Sequence, residues 1–274
     1  MKPTDKNTIL DYQYPKLLMK FPFLLYFVYW ANYLTQLRKW YVVSAWRKLL
    51  KESQENALIL DFGAGEAQYL VPYCKKHPNK IFYSLDNRQS NVQLAEAFGI
   101  NNLKAAHIDI ENNSFSKQAD LGLCVGVMQY LANDEAALAN MNKSLKQGAL
   151  LLLYVPINGI FLTRIYKKVF DRYEQYESIN ARKRVYTEHE ICNKLVKAGF
   201  NISKKTFTYG DYGRYSHEIL NTFSTLIFSG GLALKLIALV LLLLFFPLII
   251  LLMLLDFNQK KKNGNGLLIE CFKQ

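Results

Sequence analysis

In this chain of 274 residues, the segment most informative about the fold is Ala57-Leu-Ile-Leu-Asp61-Phe-Gly63-Ala-Gly65-Glu-Ala67. Its first residues are apolar, as in a buried strand, and the strand ends at Asp61. Gly63 and Gly65 let the backbone approach a ligand closely where a side chain would collide, and Asp61 places a carboxylate beside that ligand. A dinucleotide-binding G-x-G-x-x-G motif that starts at Gly63 would need glycine at position 68, which is Gln68. The stretch therefore predicts a strand, a ligand-binding turn and a helix, and not a dinucleotide fingerprint.

Further strand-like runs follow, and helical stretches separate most of them. These runs are apolar throughout rather than alternating, which is typical of strands that are buried on both faces of a sheet. The sequence therefore predicts an α/β fold with a parallel, doubly wound sheet. The predicted strands are residues 57–61, 81–85, 103–108, 120–127, 149–155, 200–209 and 266–273.

Carboxylates end three consecutive predicted strands. Asp86 follows the second strand, at the position where a carboxylate can accept both hydroxyls of a ribose, and Asp109 follows the third, where an adenine amino group could be held. Together with Asp61 they converge on the carboxyl edge of the sheet, where open α/β sheets bind ligands. Three carboxylates repel a triphosphate and suit a nucleoside that carries positive charge. The alternative for Asp86 and Asp109 is that each caps the helix that follows it.

Five segments in this order resemble the class I S-adenosylmethionine-dependent methyltransferases. The resemblance covers roughly residues 45–210 and 266–274, and it implies a seven-stranded, mostly parallel sheet whose last strand runs antiparallel to its neighbours. It also implies S-adenosylmethionine as the cofactor and methyl transfer as the reaction. The segments are ILDFGAGEA, YSLDN, HIDI, DLGLCVGVMQYLAND and YTEHEICNKLVKAGF.

The resemblance assigns cofactor-binding roles to seven residues. Asp61, Gly63, Gly65 and Gly126 would border the methionine part, Asp86 the ribose, and Asp109 and Ile110 the adenine. The chain departs from the family at Ala67, where the glycine loop ordinarily has its last glycine. It also reads Met-Gln-Tyr at 128–130, where quinone-methylating relatives often have L-x-H, and this leaves the acceptor chemistry open.

No catalytic residue is assigned. Methyl transfer is an in-line displacement, so the protein mainly aligns the reacting groups, and a general base is needed only if the acceptor must lose a proton in the slow step. The residues that could serve also have ordinary structural roles, and no His, Cys or carboxylate pattern predicts a metal. The candidate bases are Tyr130, His189, Tyr212, Tyr215 and His217.

The formal net charge is +12, and the Lys and Arg residues crowd around two apolar stretches. This placement favours contact with an anionic lipid surface, and a generally basic solvated surface is the alternative. Aromatic and basic residues alternate over 166–186, as in some RNA-binding segments, but they adjoin the apolar insertion, so nucleic acid is not the expected partner. Four scattered cysteines without metal spacing and an N-terminus without signal-peptide features predict a cytoplasmic catalytic domain.

The first apolar stretch, residues 14–46, is rich in Tyr and Trp. Such a segment is typical of helices that lie at a membrane interface or line an apolar pocket, and an ordinary helical cap on the core is equally consistent. We therefore divide the chain into N-terminal aromatic helices over 1–50, a methyltransferase core over 51–212 and 264–274, and an apolar insertion over 213–263.

The second apolar stretch, between Lys235 and Asp256, has about twenty uninterrupted apolar residues, enough to span a bilayer core. Because residues 266–273 must return to the sheet, a single crossing is excluded. Three arrangements remain: a bend at Pro247, a hairpin with residues 218–231 that turns at Gly230 and Gly231, or a helix within one leaflet. We expect residues 232–256 to anchor the chain on the membrane.

These features predict methyl transfer to an apolar, lipid-like or membrane-soluble acceptor at the cytoplasmic membrane face. Two alternatives stay open. One is a non-catalytic membrane scaffold that retains the fold, and the other is a methyltransferase with a soluble small-molecule acceptor. The sequence leaves the oligomeric state open.

Overall fold

A computed structural model describes residues 16–173 and 183–274. Its central feature is one seven-stranded sheet in the order β3-β2-β1-β4-β5-β7-β6, in which β7 is antiparallel to both of its neighbours and the other pairings are parallel. This confirms the predicted α/β fold. The strands are β1 Leu58–Phe62, β2 Ile81–Asp86, β3 Leu103–His107, β4 Ala119–Val125, β5 Leu145–Pro156, β6 Phe200–Thr208 and β7 Gly266–Lys273.

Helices cover both faces of the sheet, because the central strands present buried side chains to both sides. On one face, Trp46 and Leu50 belong to a cluster with Ile59 of β1. On the other face, Leu138 and Ile191 share a second cluster. The helices are α1 Lys16–Lys20, α2 Leu25–Thr35, α3 Leu37–Glu52, α4 Val71–Cys74, α5 Gln89–Ala97, α6 Asp134–Lys143, α7 Arg164–Arg172, α8 Glu188–Lys197, α9 Asp211–Ser229 and α10 Leu232–Asn258.

The insertion is a pair of long helices, α9 and α10, joined at Gly230 and Gly231. Of the three arrangements expected from the sequence, the structure has the two-helix hairpin, and α10 continues through Pro247 without a break. By length and composition α10 is able to cross a membrane, and 17% of its most apolar 18-residue window is buried inside the protein.

The hairpin leaves the sheet at its carboxyl edge. Thr208 at the end of β6 pairs with Gly266 at the start of β7, and Pro156 at the end of β5 pairs with the same glycine. The predicted glycine loop follows β1 at this edge, because β1 and β5 are parallel to β4, which lies between them. The anchor predicted from the sequence and the predicted cofactor site therefore lie at one edge of the sheet.

A buried polar cluster fixes the base of the hairpin. The carboxylate of Asp256, which is fully buried, accepts hydrogen bonds from the Tyr41 hydroxyl at 2.8 Å and from the Gly213 N–H at 3.1 Å. The Lys261 ammonium lies 3.4 Å from the same carboxylate and donates to the Tyr41 hydroxyl at 2.6 Å. These contacts attach α10 to α3 and to the first turn of α9.

Candidate functional site

The glycine loop after β1 has the backbone that its sequence predicts. Gly63 and Gly65 have φ of +72° and +54°, in the left-handed region that favours glycine. A Cβ on Gly63 would lie 2.5 Å from Cγ2 of Val127, so this glycine lets the loop pack against the end of β4. A Cβ on Gly65 would meet nothing within 4 Å, so Gly65 faces open space. The loop therefore presents backbone to a crevice at the carboxyl edge.

Ala67 shows what its departure from the family pattern does to the loop. Its φ is +53°, so a non-glycine residue stands in the left-handed region, and its N–H still donates to the Ala64 carbonyl at 3.0 Å. A Cβ in this conformation costs about 1–2 kcal/mol. Because the methyl group is fully buried, its packing offsets part of that strain.

Asp61 is a buried carboxyl group at the floor of the crevice. Only 2% of the residue is exposed, and Oδ2 has no hydrogen-bond partner among the described residues. Burial, together with the nearby charge of Asp86, raises the pKa of Asp61 well above its usual range. A buried acceptor of this kind calls for a donor or a positive charge from a ligand.

Asp86, the last residue of β2, holds the glycine loop and the turn that leads into α5. Its Oδ2 accepts the Gly65 N–H at 2.8 Å, and its Oδ1 accepts the Arg88 N–H and the Asn91 side-chain amide, both at 2.9 Å. Arg88 is the residue that precedes α5, and among the described residues no side chain caps this helix, so Asp86 shapes the turn before α5 without the capping role expected as the alternative. A carboxylate has about four acceptor positions, so room remains for one ribose hydroxyl.

Asp109 and Ile110 are less clearly placed for a ligand. Asp109 lies two residues beyond β3 and accepts the Glu111 N–H at 3.0 Å and the Asn112 amide at 2.7 Å, which stabilises its own turn. The Ile110 side chain is buried in the cluster that includes Leu138 of α6. Their adenine-binding role stays a prediction.

Gly126 lies on the opposite side of the crevice, directly after β4, with a φ of +69°. A Cβ at this position would lie 3.3 Å from Nη1 of Arg38. Arg38 lines the same cavity as Asp61, Gly63 and Gly65. A planar guanidinium suits a carboxylate ligand, so Arg38 could hold the carboxylate of an amino-acid moiety.

Arg38 was not predicted as a site residue, because it comes from the N-terminal helices rather than from a strand end. These helices close one side of the crevice. The Tyr29 hydroxyl of α2 donates to the Glu66 carbonyl in the glycine loop, and the Lys39 ammonium donates to the Tyr29 carbonyl at 3.4 Å. Burial lowers the pKa of Lys39 to about 8. Of the three interpretations of residues 14–46, the structure shows that the described part, from residue 16, helps to line a pocket and contributes to the core.

Tyrosines surround the inner part of the crevice. Tyr69 and Tyr130 line the cavity, and the buried Tyr69 hydroxyl has no described hydrogen-bond partner. Burial is the main cause that raises the pKa of Tyr69 to about 12, so its hydroxyl stays protonated near neutral pH. Tyr209 accepts the Arg38 N–H at 3.0 Å and thereby holds the start of α3.

Of the five candidate bases, Tyr130 is the one that lines the described cavity. Tyr212 and Tyr215 are exposed on α9, and His217 packs against the rings of Tyr166 and Tyr209. His189 of α8 contacts the Asn193 amide at 3.2 Å. Among the described residues, no group of three or more His, Cys, Asp or Glu side chains is placed to hold a metal.

A family model described as "Methyltransferase domain" matches residues 60–151. Among solved structures, the chain is similar to magnesium protoporphyrin IX methyltransferase (ChlM) from Synechocystis PCC 6803, with a TM-score of 0.54, 14% identity, and coverage of 87% of this chain and 84% of that one. It is also similar to an O-methyltransferase from a Brevibacillus brevis trans-AT PKS multienzyme (TM-score 0.53, 14% identity, 97% and 80% coverage). No curated protein matches it in sequence.

The seven-stranded sheet with its antiparallel last strand is the class I S-adenosylmethionine-dependent methyltransferase fold, and residues 60–151 match a methyltransferase domain. Residues 60–151, which include the loop, Asp86, Asp109 and Gly126, form the matched methyltransferase domain. The [4+2]-cyclase SpnF also has this fold (TM-score 0.54, 11% identity, 84% and 80% coverage). Because one fold can carry different reactions, the acceptor must be argued from the site and its surroundings.

Proposed function

We propose that this protein transfers the methyl group of S-adenosylmethionine to an apolar acceptor that enters the crevice from a membrane. The acceptor would be a lipid, an isoprenoid quinone precursor, a polyene or a fatty acyl compound. The observation that carries the proposal is the position of the apolar hairpin, which leaves the sheet at the same edge as the glycine loop.

The residues of the crevice fit the cofactor. Asp61 offers a buried carboxyl oxygen that lacks a partner, and Arg38 offers a guanidinium across the same cavity. An amino acid with a free amino group and carboxylate would complement both. Gly65 leaves open space for the nucleoside, and Asp86 retains an acceptor position for a ribose hydroxyl.

When bound, S-adenosylmethionine supplies a methyl group on a positively charged sulfur. The protein's part is to position and to exclude water. Asp61 and Arg38 would fix the methionine end, and the cover that α2 provides over the glycine loop would limit access of water from that side. Tyr130 lines the cavity, within reach of an acceptor held there, and is the candidate to orient it.

Exposed apolar side chains support the proposed attachment to a membrane. Apolar side chains of α10 are exposed from Leu232 to Leu255, and Phe228 at the end of α9 is exposed as well. A second exposed group, Phe23, Phe27 and Trp30, belongs to the helices that cover the crevice. Patches of this kind on a water-exposed protein ordinarily mark a partner or a membrane.

The test is to incubate membranes and purified full-length protein with methyl-labelled S-adenosylmethionine, and to measure label in the lipid extract, the protein fraction, RNA and the water-soluble fraction. We expect label in the lipid extract. Label confined to RNA, to protein or to soluble compounds would overturn the proposed acceptor, and the last result would favour the soluble-acceptor alternative.

A matched pair of variants controls this experiment. Gly65→Asn places a side chain in the crevice, and asparagine tolerates the positive φ, so we expect folding without labelling. Gly148→Asn makes the same change at a φ of +74°, also with nothing within 4 Å, away from the crevice, and should label normally. Calorimetry with the cofactor on the wild-type protein and on both variants separates an enzyme from a non-catalytic scaffold. A scaffold that retains the site would bind cofactor in the wild type and in Gly148→Asn without labelling any fraction.

A further inference from the structure

Helix α7, Arg164–Arg172, is attached to the hairpin. Both carboxylate oxygens of Glu218 on α9 accept backbone N–H groups just before α7, from Leu162 at 2.6 Å and from Thr163 at 2.7 Å. Glu218 is only 3% exposed, so this is a buried, charge-assisted contact. The Tyr166 ring of α7 packs against His217 of α9 at 6.1 Å. The position of α7 is therefore set by the hairpin.

The two faces of α7 differ in character. Its aromatic face, Tyr166 and Phe170, packs inward together with Phe161. The outer face is basic and carries one acidic residue, Asp171. None of its four basic residues forms an ion pair with a described residue. The four exposed basic residues are Arg164, Lys167, Lys168 and Arg172.

The segment that leads into α7 lies at the end of the hairpin that joins the sheet. The Asn265 amide donates to the Ile160 carbonyl at 2.8 Å, and the Asn158 amide donates to the Gly264 carbonyl at 3.3 Å. The segment before α7 is therefore beside the chain that follows α10, in which Lys260 and Lys262 are exposed. The cationic groups are thus gathered at the base of the hairpin, while its exposed apolar side chains continue to the turn at the far end.

We propose that α7 binds the phosphate groups of anionic lipids, and that it does so at the headgroup level of the membrane in which the hairpin is anchored. The charge of the outer face complements an anionic bilayer, and Ile165, which is 70% exposed, stands beside those charges at the depth where the headgroups meet the acyl chains. Nucleic acid is the less favoured partner, because the helix is fixed on an apolar anchor. The inference rests on the membrane attachment in the proposed function.

The test is hydrogen exchange of the peptide that covers α7, in full-length protein placed in nanodiscs. One set of discs contains phosphatidylcholine alone, and the other contains one third phosphatidylglycerol. We expect slower exchange only in the anionic discs, with the difference lost at high salt. The variant Lys167→Gln/Lys168→Gln should remove most of the protection, because each neutralised lysine weakens binding roughly fivefold. The control Lys75→Gln/Lys76→Gln changes two exposed lysines after α4 and should leave the protection unchanged.

The outcomes separate the headgroup contact from the anchor. Protein that remains in both kinds of disc, but with equal exchange of α7, would overturn the headgroup contact and leave the anchor standing. Protein that is retained in neither kind would overturn both. If α7 exchanges equally slowly in the Lys167→Gln/Lys168→Gln and Lys75→Gln/Lys76→Gln variants, the charges of Lys167 and Lys168 do not contribute to lipid binding, which would overturn the proposal. Protection by an RNA oligomer and not by anionic discs would show that the basic face binds nucleic acid instead.

Discussion

Gly63 and Gly148 have the same backbone conformation in different surroundings. Their φ values are +72° and +74°, but a Cβ on Gly63 meets Val127 at 2.5 Å, whereas one on Gly148 meets nothing within 4 Å. We expect Gly148→Ala to lower the free energy of unfolding by about 1–2 kcal/mol through strain alone. Gly63→Ala should lower it by roughly a further 1–3 kcal/mol, because Val127 must move.

Denaturant unfolding of the two variants in the same detergent checks this. Equal losses in the two variants would mean that the loop is free to move away from the end of β4. The site would then lack the close packing that its geometry implies.

Asp61 gives a pH dependence with a definite sign. The pKa of Asp61 is higher in the folded protein than in the unfolded chain. At a pH between these two pKa values, the folded protein keeps a proton on Asp61 that the unfolded chain releases. The free energy of unfolding therefore falls as the pH rises through this window. A positively charged ligand favours the ionised form. Affinity for S-adenosylmethionine should therefore rise with pH through the same window and then level off.

Calorimetry as a function of pH measures the effect. Asp61→Asn should lose the pH dependence and about 1.5–3 kcal/mol of binding free energy at the upper end, which is the range for a hydrogen bond to a charged group. Asp171→Asn, on the exposed face of α7, serves as the control and should behave as the wild type. A wild-type slope that persists in Asp61→Asn would assign the titration to another group.

Among the site residues, those that could be predicted are the ones whose role depends only on their neighbours in the sequence. The glycines and Asp61 could be recognised because a strand, a tight turn and a carboxylate are adjacent in sequence. Arg38 could not, since it meets Gly126 only after α3 has packed on the sheet. Asp134 begins α6, but Asn133 caps that helix, and the Asp134 carboxylate accepts from Tyr186 at 2.7 Å and pairs with Arg184 at 2.7 Å. Both contacts depend on a segment about fifty residues away.

Among the secondary-structure elements, the hairpin is the one whose arrangement could not be predicted from the sequence pattern alone. The apolar run and the glycine pair were visible, but three arrangements satisfied them equally. The choice depends on tertiary contacts, because Asp256 can reach Gly213 only if α10 runs antiparallel to α9. Pro247 removes one backbone hydrogen bond and does not interrupt the helix.

The contact at the base of the hairpin predicts a stability effect. Tyr41→Phe removes the hydroxyl that bonds both Asp256 and Lys261, and it leaves a buried carboxylate with fewer donors. We expect a loss of about 1–3 kcal/mol in the free energy of unfolding. Tyr212→Phe makes the same change on the exposed part of α9 and should cost less than about 0.5 kcal/mol.

Thermal unfolding in detergent compares the two variants, and limited proteolysis between residues 259 and 263 reports whether the base has opened. We expect faster cleavage in Tyr41→Phe alone. Equal stability and equal cleavage in the two variants would mean that the buried cluster does not hold the hairpin on α3.

At the scale of the molecule, the N-terminal helices and the sheet share one hydrophobic cluster, which also includes Ile249 and Met253 of α10. The N-terminal helices that cover the crevice, the sheet and the hairpin are therefore packed together. This joint packing could not be seen in the sequence, where the three parts are separate stretches. Helix α3, which packs in this cluster, also carries Arg38 of the crevice.

We propose that the acceptor reaches the crevice through the bilayer, and this can be tested by methyl transfer from labelled S-adenosylmethionine to a lipid extract. The extract is supplied in one of two ways: in the same nanodiscs as the protein, or in separate discs. We expect labelled lipid only when protein and extract share a disc. Equal labelling from separate discs, or label that never enters lipid, would contradict it.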